Sequence, residues 1–272
     1  MRSAVYSCGP LKKPRLISIP FRDMAPQSIL VQYMGCCSCS EHMFLLGAEI
    51  WVWKRAMTKP DLIIFDCDGV LIDSELLSCR CLSEVLAGYG ITLGPDQALD
   101  LFLGRSTAAV LEYYEGQLIP EKFSAELTAR VRRTFLAALC PIEGVSSVLA
   151  GLQIPHCVAS SSDFDRVSLS LSLTGLAPYF DGQLFTSQMV ERGKPAPDLF
   201  LYAAERMRAD PSRTIVIEDS MSGVTAGKAA GMTVWGFVGG THYQSRDGKA
   251  ILSAAGADRV FERMADFWRV DR

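Results

Sequence analysis

Residues 61–75 read Asp-Leu-Ile-Ile-Phe-Asp-Cys-Asp-Gly-Val-Leu-Ile-Asp-Ser-Glu, an apolar run that meets two carboxylates one residue apart and then a glycine. Four consecutive apolar residues predict a strand buried on both faces, as in a parallel sheet. Asp66 and Asp68 would then stand at its carboxyl end, where open α/β sheets build their ligand sites. Carboxylates this close repel each other unless a cation or a shared proton compensates. A strand that merely ends in an acidic turn is the plainer alternative, since Asp and Gly are common turn residues. The rest of the chain decides against it.

After this strand the sequence changes period. Residues 75–89, 96–103, 106–115 and 121–139 read as helices, punctuated by Gly90, Gly104 and Cys140-Pro141. No strand signal interrupts them, so residues 75–140 form a helical insertion. Alternation of strands and helices then resumes. Helices are expected at 145–152, 166–174, 197–208 and 223–230, and strands at 156–159, 183–185, 214–218, 232–237 and 259–261. Alternating β and α elements imply right-handed crossovers and a parallel sheet. The expected fold is α/β: a doubly wound parallel-sheet (Rossmann-like) core with an inserted α-helical cap domain. The core takes residues 57–74 and 141–272, and the cap takes 75–140.

Residues 1–56 differ from the rest. They carry seven of the 27 Lys+Arg, three of the 30 Asp+Glu and four of the nine cysteines, and four prolines break up their first half. Neither helical nor strand periodicity persists there. Glu41, His42 and Glu49 interrupt the one stretch that could serve as a signal or membrane segment. Cys36-Cys37-Ser38-Cys39 with His42 matches no paired-knuckle zinc spacing. The expectation is an N-terminal extension without a fold, with Met57 as the functional start. Over the whole chain, the formal net charge of −3 and the lack of a basic stripe argue against nucleic acid as a partner. Cys67, Cys79, Cys81, Cys140 and Cys157 lie mostly in apolar or helical patterns, which fits buried thiols in a reducing, cytoplasmic setting.

Four polar clusters fall at strand ends or helix starts: Asp66/Asp68, Ser160-Ser161-Ser162, Lys194 ahead of a proline-initiated helix, and Glu218-Asp219-Ser220. Each has an ordinary structural explanation: serines and acids cap helices, and a Lys-Pro pair is commonly a solvated loop. In a parallel sheet, however, all four converge on the carboxyl edge. Together they supply a hard-cation site, a nucleophile, a hydroxyl donor and a neutralising ammonium, the set that phosphoryl transfer requires.

With these four motifs in this order, residues 58–268 resemble the haloacid dehalogenase-like superfamily, in particular its phosphatase and phosphomutase members with a helical cap (β-phosphoglucomutase and phosphoglycolate phosphatase-like). The resemblance implies Asp66 as the nucleophile that forms an aspartyl-phosphate, and Asp68 as general acid/base. It implies Ser160 as a phosphate hydrogen-bond donor and Lys194 as the neutralising cation, with backbone amides around Cys67, Asp68 and Ser161 cradling the phosphate. Mg²⁺ would be held by Asp66, the backbone carbonyl of Asp68 and Asp219, with Glu218 acting directly or through water. Specificity belongs in the cap, where Arg105 is the candidate substrate-facing residue. An acid at position 68 favours phosphoester chemistry over dehalogenation. Ser78 and Thr107 stand where related sugar phosphomutases carry a histidine and an arginine. The expected activity is therefore Mg²⁺-dependent hydrolysis of a small phosphorylated metabolite, such as a sugar or polyol phosphate. A β-phosphoglucomutase-like reaction is the alternative, and a non-catalytic binding role is a more distant one.

Overall fold

The computed structural model describes residues 59–114 and 121–269. The N-terminal extension expected over residues 1–56, and the start at Met57, lie outside the described residues. Six parallel strands form one sheet: β1 (Leu62–Phe65), β2 (His156–Ser160), β3 (Leu184–Thr186), β4 (Thr214–Glu218), β5 (Thr233–Phe237) and β6 (Arg259–Phe261), in the order β3-β2-β1-β4-β5-β6. The apolar run that opened the argument is the central β1, with all four side chains fully buried. Phe65 is in register with Val158 on one side and Ile217 on the other. The carboxyl ends of β1, β2 and β4 are thereby level, and the strand order reverses at β1, the position at which such sheets bind ligands.

Alternation along β1 divides the core. Ile63 and Phe65 face a layer built with helices α5 (Val145–Gly151) and α6 (Phe164–Leu173). Leu62 and Ile64 face the opposite layer, formed by α7 (Asp198–Arg206), α8 (Met221–Ala229) and α9 (Gly248–Ala254). Between β1 and β2 stand α1 (Glu75–Ala87), α2 (Pro95–Phe102), α3 (Thr107–Tyr113) and α4 (Phe123–Ala138). These four helices share an apolar cluster of their own, centred on Leu86, Leu99, Phe102, Phe123 and Phe135. The insertion is a helical layer with its own core, as its sequence periodicity implies.

Helices α6 and α8 each begin two residues earlier than expected, α4 begins two later, and one helix is additional. Helix α6 begins two residues early because the Asp163 side chain accepts from the Arg166 backbone N–H at 2.8 Å, a cap that takes over from the serines before it. Helix α9 was not foreseen at all. No element was expected between β5 and β6, but the Asp247 carboxylate accepts from Ala250 N at 3.0 Å and starts a helix. Of the five described cysteines, Cys67, Cys79, Cys81 and Cys157 are buried thiols and Cys140 is exposed. Among the described residues, no helix is long and apolar enough to cross a membrane.

Candidate active site

The end of β1 delivers Asp66 and Asp68 to one cleft. Lys194, on the loop before α7, donates to Asp66 Oδ1 at 2.7 Å, to Glu218 Oε1 at 2.7 Å and to the Ala159 carbonyl at 3.0 Å. Its side chain is 1% exposed. Burial opposes its charge, but the two carboxylates outweigh that and raise its pKa above the usual lysine value. The ammonium is therefore a fixed cation. Glu218 is held from its other oxygen by Ser220, through the backbone N–H at 2.9 Å and the hydroxyl at 3.0 Å. Gly223 is needed behind it, since a Cβ there would fall 1.7 Å from Glu218 Oε1.

Asp219 is the unusual member. It is fully buried, and neither carboxylate oxygen has a hydrogen-bond partner among the described residues. Ligand atoms of Asp66, Glu218 and Asp219 all lie within 4.8 Å of one another. Burial, with the neighbouring negative charges, raises the pKa of both Asp66 and Asp219 well above the carboxylate range, although Lys194 pulls the other way. Three buried carboxylates share one ammonium, and two carboxylate oxygens are orphaned where an unpaired group is costly. A hard divalent cation fits this donor set: all oxygen, anionic, and short of positive charge. Gly69 closes the same corner. Its φ is +76°, and a Cβ there would lie 1.8 Å from Asp219 Oδ2, so only glycine lets β1's loop pass so near.

Asp68 belongs to a different set. Its side chain does not join the three-carboxylate group; it accepts from Ser74 Oγ at 2.6 Å, Ser162 Oγ at 2.7 Å and Arg166 at 2.8 Å. Burial pushes its pKa up, but the Arg166 charge and these hydrogen bonds win, and it sits below the ordinary carboxylate value. Of the metal residues expected from the sequence, Asp68 could thus contribute only its backbone. Arg166 also donates to Ser78 Oγ of α1 at 3.0 Å and lies over the Phe135 ring of α4 at 5.0 Å. One core side chain thus touches the catalytic-acid candidate and two helices of the insertion.

Asp66, Asp68, Ser160, Ser161 and Arg105 all line one cleft between the sheet edge and the helical insertion. Ser78 and Thr107 line it too, with an apolar wall that includes Leu82, Phe102, Val110 and Leu127. Because Asp163 caps α6, the serine run stays free to face this space. Ser160 Oγ accepts from Ser162 N at 3.1 Å, and its proton is available to a ligand. Lys194, Glu218 and Asp219 do not reach the cleft surface. They are sealed beneath it.

The family model of haloacid dehalogenase-like hydrolases matches residues 63–237. The chain belongs to the haloacid dehalogenase-like hydrolases. Over 190 residues it is 31% identical to the 6-phosphogluconate phosphatase of Escherichia coli (strain K12), covering 68% of this chain and 86% of that protein. The phosphorylated carbohydrates phosphatase of Thermotoga maritima is 31% identical over 201 residues, 71% of this chain and 91% of its own. Among solved structures, a HAD family hydrolase from Deinococcus radiodurans R1 with bound phosphate and sodium is 34% identical. It has a TM-score of 0.62, and the match covers 78% of this chain and 94% of that one.

Sequence reasoning missed several residues that shape this haloacid dehalogenase-like site. Ser74 was visible in the first motif but reads as a helix cap; its hydroxyl serves Asp68 and makes no cap hydrogen bond. Glu75 reads as a first-turn acid. Arg166 carries no local signal. His242, in the Gly239-Gly240-Thr241-His242 stretch after β5, could have been flagged as a rare residue in a glycine-rich strand exit.

Proposed function

We propose that this phosphoric monoester hydrolase is a Mg²⁺-dependent phosphatase acting on a small phosphorylated metabolite, a sugar or polyol phosphate, through an aspartyl-phosphate. The observation that carries this reading is the buried group of Asp66, Glu218 and Asp219 beside Lys194, with Asp66 alone reaching the cleft, set against a separate, hydrogen-bonded Asp68. Two carboxylates of the first motif have been given two environments, which is how acid/base and nucleophilic roles are divided.

The Asp66 carboxylate attacks phosphorus, forming an acyl phosphate as the ester P–O bond breaks. Asp68, ionised beside Arg166 in the free protein, takes up a proton from solvent once the phosphate's negative charge offsets that guanidinium, and gives it to the departing alkoxide. As a carboxylate it then takes a proton from water, which attacks phosphorus and frees both phosphate and Asp66. Lys194 offsets the repulsion between nucleophile and phosphate, and Ser160 donates to a phosphate oxygen. A divalent cation held by Asp66, Asp219 and the Asp68 carbonyl, with Glu218 directly or through water, would supply the remaining positive charge. The helical insertion covers the cleft and excludes bulk water, and Arg105 at its edge meets the substrate. Ser78 and Thr107, both on the cleft wall, offer neither imidazole nor guanidinium, which favours water over a sugar hydroxyl as acceptor. The carbohydrate-phosphate relatives support the substrate class, and the buried thiols support a reducing, cytoplasmic location.

The test is phosphate release from a panel of phosphorylated metabolites, with and without Mg²⁺, for the wild type and Asp66→Asn. Turnover that needs Mg²⁺ and disappears in the variant is expected. Equal rates in both proteins would refute the nucleophile assignment, and efficient conversion of β-glucose 1-phosphate to glucose 6-phosphate with a bisphosphate primer would make the enzyme a mutase.

A further inference from the structure

Glu75 is the first residue of α1, and an acid there ordinarily sits in solvent beside the helix N-terminus. This one is 7% exposed and faces the cleft, and no hydrogen bond reaches its carboxylate among the described residues. The neighbouring chain explains its place. Asp73 Oδ1 accepts from the Thr241 backbone N–H at 3.1 Å and its hydroxyl at 2.8 Å, which pins the start of the insertion to the turn Thr241–Tyr243. Helix α1 packs on that same turn. The turn carries His242, which is buried, with Nε2 3.0 Å from Asp219 Oδ2. That separation suits a hydrogen bond but the alignment does not, and both imidazole nitrogens and both Asp219 oxygens stay unpartnered. Gly69 and Gly240 leave room for no further side chain there: a Cβ on Gly240 would fall 2.5 Å from the His242 ring.

Glu75 thus shares the cleft with Asp66, whose ligand oxygen lies within 4.8 Å of those of Asp219 and Glu218, while His242 and the unpaired Asp219 oxygens sit beneath, on the side where α1 packs against the turn. An unbonded carboxylate at the mouth of such a group is placed to hold water on an ion. We propose that Glu75 is a positioning residue for the hydrated divalent cation, accepting hydrogen bonds from water on the ion that Asp219 holds and so tying the helical insertion to the metal. The inference rests on the metal reading above. It adds a link from the ion to the covering layer, so that metal loading and cleft geometry depend on each other. The crowding of negative charge fits: burial, Asp219 and Asp68 all disfavour an ionised Glu75 until a cation is present.

Calorimetric titration of MgCl₂ into the EDTA-stripped full chain tests this without reference to turnover. Glu75→Gln is expected to weaken Mg²⁺ binding about tenfold or more, while raising the Tm of the metal-free protein, because a neutral amide avoids the cost of either ionising or protonating a crowded, buried carboxyl. A merely structural glutamate would not give opposite signs in the two readouts. Glu75→Asp keeps the charge on a shorter arm and is expected to bind more weakly than the wild type, whether or not the Gln variant folds. Wild-type affinity in either variant overturns the assignment of Glu75 alone. A wild type that takes up no Mg²⁺ overturns the metal reading and this inference with it.

Discussion

Replacing Lys194 by Met should cost the metal-free protein more stability than any other single change at the site. The ammonium is 1% exposed and bonded to both Asp66 and Glu218, so solvent does not screen the loss. Removing one partner of a buried ion pair costs about 3–5 kcal/mol, because the remaining charge is left uncompensated. For a domain of this size that corresponds to a fall in Tm of roughly 6–20 °C. The pH dependence follows from the raised pKa values of Asp66 and Asp219. A carboxyl whose folded pKa lies above its unfolded one stabilises fully below the ordinary value of 3.8, and that contribution is lost as pH rises through the folded pKa. Metal-free wild type should therefore lose stability from about pH 4 upward, and Lys194→Met should lose more, over a wider range. Asp66→Asn in the Met background should recover part of the loss, since it removes one of the stranded charges. Urea unfolding in EDTA at pH 5 and pH 8 measures all of this. A Lys194→Met protein within about 1 kcal/mol of wild type at pH 8 would show that the carboxylates and lysine are not jointly ionised, and the reasoning would fall.

Three further outcomes follow from the same geometry. Arg166→Ala removes the charge that holds the Asp68 pKa down, so the limbs of the pH–rate profile that Asp68 sets should move to higher pH; unchanged limbs would mean that Arg166 does not act through Asp68. Gly104→Ala puts a Cβ 2.4 Å from Ser220 Oγ at a φ of +69°, and should cost about 1–3 kcal/mol and lower kcat/KM by moving the insertion's loop off the α8 cap, both read by urea unfolding and steady-state kinetics. Phe123→Ala empties a fully buried position in the insertion's own core and should destabilise by about 3–5 kcal/mol in chemical unfolding, without altering Lys194 or Asp66.

What the sequence shows and what it hides divide along physical lines. The strand ends were legible because a parallel sheet buried on both faces leaves an apolar signature, and because strand order then fixes which loops share an edge. Asp66, Ser160, Lys194 and Glu218 each sit within four residues of such an end or of a helix start, so their convergence could be argued before any coordinates. Arg166 lies one turn into α6, at a position where a charged residue ordinarily faces water. Only the packing of α1 and α4 over it turns that side chain inward to Asp68 and Ser78. Glu75 and His242 fail for a related reason. Nothing local marks an acid at a helix start as buried, and the pairing of Asp73 with Thr241 spans 168 residues. The hidden residues are the ones at which the helical insertion meets the core. The proposed catalytic groups on the sheet edge are specified by strand pattern, whereas the groups that govern how the insertion settles over them depend on contacts between distant segments. The proposed link from metal to insertion therefore rests on the least legible part of the chain, and a substitution at Glu75 or Arg166 tests more about this enzyme than another at Asp66.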